Sequence, residues 1–404
     1  MKINTDPKKI EEILNRSVQN ILPSKDFFRK ELLSGRKLKI YVGADATGTK
    51  LHIGHATNFM IIERLRQLGH EVIILFGDFT AMIGDPSGKD SARKALTKND
   101  VSQNLKNWKS QVSKVVKIGG VDNGAKIVTN STWLSKMSFA DVVKLASNFT
   151  VQQMLERDMF QKRLEEKKPI FLQEFLYPLM QGYDSVALDV DVEVGGNDQT
   201  FNMLVGRTLQ KNTRNKEKFV VATTLLINPK TGRKLMSKSE GSVIGLDDEY
   251  HDMFGKCMSL PDEAIISVFT DCTYVSMEEI SEIKKQLENG ANPRDAKLRL
   301  GKEIVKIYYN QEKADSAEKD FIETFKKGGL PENMEEIKTE NGKSLMELLV
   351  EKKIVSSKTD FRRLISENAV SNAVNSEKIT DVNFKIHNEI TLKIGKKRFV
   401  KITI

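Results

Sequence analysis

Cysteine is nearly absent from this chain of 404 residues. Cys257 and Cys272 stand far outside a C-x-x-C spacing, which excludes a cysteine-rich zinc site and gives no disulfide framework. No stretch approaches the ~20 consecutive apolar residues of a membrane helix. The opening M-K-I-N-T-D-P-K-K has no apolar core of a signal peptide. Repeats and low-complexity tracts are missing, and so is a Ser-His or Cys-His arrangement suited to nucleophilic catalysis. The expectation is a cytoplasmic, globular enzyme of two or three domains, without membrane contact, zinc or a protein nucleophile. An acidic excess is lacking too. The net charge is +9, which favours a polyanionic partner. From Gly342 to Ile404 there are 13 Lys and Arg against 7 Asp and Glu, so most of that excess lies in the last part of the chain.

The most informative stretch is Tyr41 to Phe59, Y-V-G-A-D-A-T-G-T-K-L-H-I-G-H-A-T-N-F. Lys37 to Gly43 alternates and is β-rich, which predicts a strand. From Gly54 the period becomes helical, with Phe59, Ile61, Ile62, Leu65 and Leu68 on an apolar face that Gly69 ends. A strand feeding a helix through a glycine-rich turn points free backbone N–H groups at an anion in the crevice. His52 and His55 can add side-chain hydrogen bonds to phosphate oxygens, and Gly54 leaves the approach open. The bland alternative is an ordinary βα loop with solvated histidines.

Residues 6 to 36 read as helix, turn and helix, with Pro23 and Ser24 between. Glu71 to Phe76 is an apolar run of buried-strand type, and a helix of about 15 residues before it argues for a parallel pair. It leads into G-D-F-T-A-M-I-G-D-P-S-G-K, Gly77 to Lys89, whose G-D-P-S-G-K is not a Walker loop. Residues 90 to 170 read as mostly helical and polar with two short strand-like pieces, and Trp108 and Trp133 as core. Phe171, Leu172, Phe175, Leu176, Leu179 and Met180 predict a buried helix, kinked at Pro178. Tyr177, Gln181 and Asp184 then share one stripe of it and need partners there. Val186, Leu188, Val190, Val192 and Val194 alternate with polar residues and predict a strand, closed by Gly195 and Gly196.

These residues carry a resemblance. H-I-G-H at a first βα turn resembles the class I aminoacyl-tRNA synthetases, and Y-V-G-A-D-A-T before it resembles their tyrosyl branch. The spacing Tyr177, Gln181, Asp184 is similar to the amino-acid pocket of that branch. The resemblance implies Tyr41 and Asp184 at the substrate's phenolic hydroxyl, Asp85, Tyr177 and Gln181 at its ammonium, and Gln199 near its carboxylate. For ATP it implies Gly43, Asp45, His52, Gly54, His55, Gly196 and the ribose-binding Asp198. M-S-K-S looks like the mobile loop of the class and adds Met236, Ser237 and Lys238. The first lysine of that loop aligns with Leu235, while Lys234 lies one residue earlier. Glu193 stands where many relatives carry glutamine. Catalysis would fall to Thr47, His52, His55 and Lys238, by positioning and electrostatic stabilisation of phosphoryl charge.

The implied fold is α/β: a Rossmann-type parallel-sheet catalytic domain over residues 1–226, with a connective insertion at about 90–170 that forms a homodimer interface. The mobile loop and an α-helical anticodon-side domain cover 227–328, with a linker at 329–343. A small C-terminal α+β domain of S-four type covers 344–404 and would bind RNA through Lys358, Arg362, Arg363, Lys396, Lys397 and Arg398. Asn368 and Ala369 replace the glycines usual after its helix. The implied partners are tyrosine tRNA, L-tyrosine and ATP with Mg²⁺. A tryptophanyl enzyme, a small-molecule nucleotidyltransferase and an inactive RNA-binding homologue remain as alternatives.

Overall fold

A mostly parallel sheet forms where the sequence is richest in β-branched residues. The computed structural model describes residues 2–87, 96–120, 123–236, 243–326, 334–352, 354–373, 377–395 and 398–404. The chain folds as two units, Met1–Asp315 and Ser316–Ile404. The first unit contains β1 (Val18–Leu22), β2 (Lys39–Asp45), β3 (Glu71–Gly77), β4 (Lys126–Thr129), β5 (Val192–Gly196) and β6 (Phe219–Thr223), in the spatial order β1-β6-β5-β2-β3-β4. Every neighbouring pair is parallel except β1 with β6. In register, Tyr41 faces Ile73 on one side and Glu193 on the other. The strand order reverses at β2, and ligands of open α/β sheets bind at the carboxyl ends of the strands at such a switch point.

Helix α1 (Pro7–Asn15) and helix α2 (Lys25–Leu33) flank β1. The expected helix–turn–helix over 6–36 is therefore corrected. V-Q-N-I-L is too short to show a period, and its antiparallel pairing with β6, some 200 residues later, is what makes it a strand. Helix α3 (Ile53–Gln67) starts as expected and ends at Gly69, whose φ of +100° supplies the left-handed turn that favours glycine.

Helix α4 (Gln173–Leu188) carries Tyr177, Gln181 and Asp184 and runs through Pro178 as one element. The buried Arg163–Glu174 pair, at 2.7 Å, ties down its first turn. Phe171 and Leu172 are exposed rather than core, because they precede the helix. The predicted strand from Val186 is also corrected. Val186 and Leu188 finish α4, Asp189 reverses the chain with φ +51°, and only Val192–Gly196 is strand. Helix α5 (Thr200–Arg214) packs on α4 across glycines. A Cβ on Gly182 would lie 2.7 Å from Val205 Cγ1 and 3.0 Å from the Gly206 nitrogen.

Helices Tyr250–Met258, Ile265–Cys272, Met277–Glu288, Pro293–Tyr308 and Gln311–Lys326 follow, matching the helical pattern expected from Asp247 to Lys327.

The second unit folds around its own core, which includes Leu345, Leu349, Phe361, Val370, Leu392, Val400 and Ile402. Its strands are β7 (Glu335–Lys338), β8 (Lys343–Ser344), β9 (Val370–Asn372), β10 (Lys385–Ile386), β11 (Ile390–Ile394) and β12 (Arg398–Thr403). They form a sheet β7-β12-β11-β9 and a pair β10-β8. Glu335–Lys338 lies inside the stretch expected as a linker yet pairs in parallel with β12. Helix α6 (Lys358–Ser366) buries Phe361 and Ile365. Asn368 takes a φ of +51°, a conformation asparagine tolerates in place of glycine.

Candidate functional site

One cavity opens at the carboxyl ends of β2 and β5 and brings together residues from five parts of the chain. Tyr41, Gly43, Asp45 and Thr47 come from β2 and its turn, and His55 from α3. Thr80 and Asp85 follow β3, while Tyr177, Gln181 and Asp184 come from α4. Glu193, Gly196 and Gln199 come from β5 and the turn after it. All six residues expected at the amino acid line it.

Its deep end is a hydrogen-bonded network of buried and half-buried side chains. Asp184, 2% exposed, accepts from Trp133 Nε1 at 2.7 Å and Asn130 Nδ2 at 3.2 Å. Burial pushes the Asp184 carboxyl well above the usual range, while those two donors pull it back. The Tyr41 hydroxyl lies 3.1 Å from Ser185 Oγ, and burial, with Glu193 and Asp184 nearby, raises its pKa. The Tyr177 hydroxyl donates to Asp45 Oδ2 at 2.9 Å, and Thr80 Oγ1 donates to Asp45 Oδ1 at 2.6 Å. Gln181 donates to Glu193 at 3.1 Å, and Gln199 donates to Asp85 at 2.7 Å. Glu193 itself pairs with Lys218, which is fully buried. Trp133, Asn130, Ser185, Asn202 and Lys218 did not emerge from the sequence. Trp133 read only as core, and no local pattern marks the others.

The outer end is built differently. The His52 backbone N–H donates to His55 Nδ1 at 3.2 Å, so the neutral His55 ring carries its hydrogen on Nε2. Burial, then the neighbouring His52 ring, lowers the His55 pKa to about 3; burial lowers that of His52 to about 4. Both imidazoles are neutral near pH 7, with ring centroids 3.9 Å apart. His52 Nδ1 has no hydrogen-bond partner among the described residues. A Cβ on Gly54 would come within 3.1 Å of the His52 ring and 3.5 Å of Met236 Cγ, so only glycine fits without displacement. Beyond the loop the chain returns to the same turn, where Ile53 N donates to Ile244 O at 3.0 Å and Leu246 N to Leu51 O at 2.9 Å. Ser237 and Lys238, like Gly88 and Lys89, lie outside the described residues.

His52, Gly54, Asp198 and Met236 are not among the cavity-lining residues. Asp198 pairs with Lys234 at 2.7 Å. Leu235, the position aligned with the first loop lysine, is 2% exposed and its N–H bonds Leu226 O at 2.8 Å. It is a core residue, and the lysine beside it reaches Asp198 instead.

In the second unit, Lys358, Arg362 and Arg363 lie exposed on α6. Arg363 is held by Asp360 at 2.7 Å and Glu367 at 3.0 Å. Arg398 donates to Ile354 O at 2.8 Å and pairs with Glu335 at 3.2 Å. Lys396 and Lys397 lie outside the described residues.

Comparison with known proteins gives a consistent result. Residues 33–326 match the family model described as class I tRNA synthetases (W and Y). Residues 325–402 match that of the tyrosine–tRNA ligase SYY-like C-terminal domain. The chain is 44% identical over 404 residues to the tyrosine–tRNA ligase of Carboxydothermus hydrogenoformans, covering 97% of each. It is 41% identical over 401 residues to that of Haemophilus influenzae, covering 99% of this chain and 98% of the other. A C-terminally truncated mitochondrial tyrosyl-tRNA synthetase of Aspergillus nidulans shares the fold, with a TM-score of 0.66 at 22% identity over 78% of this chain and 94% of the other. The Archaeoglobus fulgidus tyrosyl-tRNA synthetase complexed with L-tyrosine gives a TM-score of 0.59 at 20% identity, over 78% of this chain and 100% of that one.

Proposed function

The chain belongs to the class I tRNA synthetases of the tryptophan and tyrosine type, as a tyrosine–tRNA ligase, and from that premise we propose how its residues divide the work. The reaction joins L-tyrosine to ATP, giving tyrosyl-adenylate and pyrophosphate, and then passes the tyrosyl group to the terminal ribose of the tRNA. Tyrosine's own carboxylate is the nucleophile, so the protein's task is to position charges and stabilise them.

Tyr41 and Asp184 take the phenolic hydroxyl. Asp85, Tyr177 and Gln181 take the ammonium, a charge-assisted contact for Asp85. Gln199 holds the carboxylate edge. The observation that carries this reading is the convergence of those six side chains on one cavity. A phenylalanine in the same place leaves the buried Tyr41 and Asp184 groups without the hydroxyl, an omission more costly than any apolar contact it gains. Of the adenylate-side residues, Thr47 and the neutral His55 Nε2–H donate to phosphoryl oxygens as charge builds up there, and His52 supports that ring. Gly43, Asp45, Gly54 and Gly196 shape the crevice, Asp198 takes the ribose, and Met236, Ser237 and Lys238 close the loop over the phosphates. Among the described residues no group of three acidic, histidine or cysteine side chains could hold a metal. Mg²⁺ belongs to the ATP complex and arrives as part of the substrate.

Exposed apolar side chains on Phe139, Val143, Val151, Leu164, Phe171 and Leu172 support a homodimer through the connective insertion, Phe139 being 84% exposed. The positive excess of the last part of the chain, with Lys358, Arg362, Arg363, Lys396, Lys397 and Arg398, supports tRNA binding there. The working location is cytoplasmic, and no helix among the described residues is long and apolar enough to cross a membrane. The deciding experiment is ATP–pyrophosphate exchange with each amino acid in turn. Dependence on tyrosine is the expected result, and equal stimulation by tryptophan or phenylalanine would overturn the pocket assignment.

A further inference from the structure

Glu193 and Asp85 stand at the two ends of a chain of side-chain amides. Gln181 Nε2 donates to Glu193 Oε1 at 3.1 Å, and Gln199 Nε2 donates to Asp85 Oδ2 at 2.7 Å. Between them Asn202 Nδ2 donates to the Oε1 of both glutamines, each at 3.0 Å. An amide can be turned over without changing its outline, so its polarity comes only from its partners. Ionised carboxylates only accept hydrogen bonds. Each glutamine must therefore turn its nitrogen outward to a carboxylate and its oxygen inward. The two inward oxygens in turn oblige Asn202 to present nitrogen, whose two hydrogens meet them at 3.0 Å each, with Ser87 Oγ a longer third contact at 3.4 Å. Asn202 is fully buried, so water does not settle its orientation.

The inner carboxyl group is held by Lys218. Both side chains are buried, and the lysine ammonium contacts Glu193 Oε2 while donating to Ser185 Oγ at 2.8 Å and Met203 O at 3.0 Å. Gly206 leaves the room: a Cβ there would lie 2.5 Å from Lys218 Nζ.

We propose that Lys218 and Asn202 are positioning residues of the amino-acid subsite. Lys218 pairs with Glu193 and fixes its carboxyl group in place, and the amide chain centred on Asn202 then presents Gln181 and Gln199 to the substrate with a single polarity. The inference rests on the cavity being the tyrosine site. An ammonium only donates and a carboxylate only accepts, so a glutamine turned over would set like against like at the substrate. Neither Lys218 nor Asn202 lines the cavity, so both act through the residues that do.

The test is steady-state exchange kinetics on the full chain with thermal melting alongside. The double variant Lys218→Met with Glu193→Gln leaves no charge unpaired and removes the carboxylate that sets the polarity. It melts close to the unaltered protein, and its tyrosine KM rises about tenfold, the scale of one neutral hydrogen bond. Its ATP KM stays put. Asn202→Asp replaces the central donor by an acceptor and raises the tyrosine KM by at least roughly tenfold, again without moving the ATP KM. An unchanged tyrosine KM in the folded double variant overturns the proposal, as does a parallel rise of both KM values in Asn202→Asp. Absence of tyrosine-dependent exchange in the unaltered chain takes down the site reading and this inference together. Exchange in the unaltered chain with an unaffected double variant takes down the inference alone.

Discussion

The two ends of the cleft are built on opposite plans. At the end proposed for the amino acid the polar side chains are buried or half-buried and already bonded to one another: Asp184 to Trp133 and Asn130, Tyr177 and Thr80 to Asp45, Gln199 to Asp85. At the end proposed for the nucleotide the groups are less committed. His52 Nδ1 has no partner among the described residues, Thr47 is exposed, and the ion pair of Asp198 with Lys234 sits largely in solvent. A small substrate distinguished by one hydroxyl calls for rigid, pre-set partners, whereas a triphosphate brings its own charge and needs donors waiting for it.

On this contrast, damage at the rigid end falls on tyrosine and damage at the open end falls on the rate. Asp184→Ala strips the acceptor from Trp133 and Asn130 as well as from the proposed substrate hydroxyl. Tyrosine kcat/KM in exchange falls by roughly 10³-fold, since the substrate's hydrogen bond is lost and buried donors are orphaned. Near-normal tyrosine affinity in the folded variant would break the contrast. Lys238→Ala and His55→Ala each lower kcat by about 10²-fold with little change in tyrosine KM, as for one lost transition-state donor; a change confined to KM would speak against it. Leu235→Lys, which from the sequence looks like a repair of the loop, places an ammonium where the side chain is 2% exposed. It lowers the melting temperature and does not raise the activation rate. Lys234→Ala changes kcat by no more than about fivefold, because an exposed ion pair contributes ~1 kcal/mol or less.

The smallest effect is on pH. His52 titrates at about 4, His55 at about 3 and the buried His70 at about 4, all below the ordinary value of about 6.5 because burial disfavours the charged ring. In the unfolded chain they take up protons from pH 6.5 downward, while the folded chain resists until about 4. The unfolded state is therefore favoured as pH falls through that window, and stability is lost from 6.5 toward 4. His70→Gln makes the melting temperature fall less steeply between those values; an identical slope would show that folding leaves the proton affinity of His70 unchanged.

The sequence was most legible where unusual residues stand close together. The turn with His52, Gly54 and His55, and the stripe Tyr177, Gln181, Asp184, each lie within one element and carry their own period. Trp133, Asn130, Asn202 and Lys218 could not be read the same way. Apart from the contact of Asn202 with nearby Gln199, their partners lie 51, 54, 21 and 25 residues away, and only the tertiary fold brings them together. Val186 and Leu188 misled because alternation over a few residues fits the last turn of a helix as well as a strand. The left-handed Asp189 that separates the two is a backbone event without a composition cue. Glu335–Lys338 misled for a related reason: four mostly polar residues between Pro- and Gly-containing sequence look like tether until β12 pairs with them.

The antiparallel strand β1 has a consequence for how the protein behaves in concentrated solution. β6 reads F-V-V-A-T and is buried along its whole length. With one side paired to β5, its other side would be an open template for strands of other molecules. β1 closes it, and β1 is a poor template itself, short and with Gln19 and Asn20 exposed. At the opposite edge, β4 is only four residues long and starts with an exposed Lys126. The short N-terminal segment thus works as a guard against self-association of the sheet, and a chain shortened past Pro23 would present β6 to its neighbours and precipitate before it lost its catalytic residues.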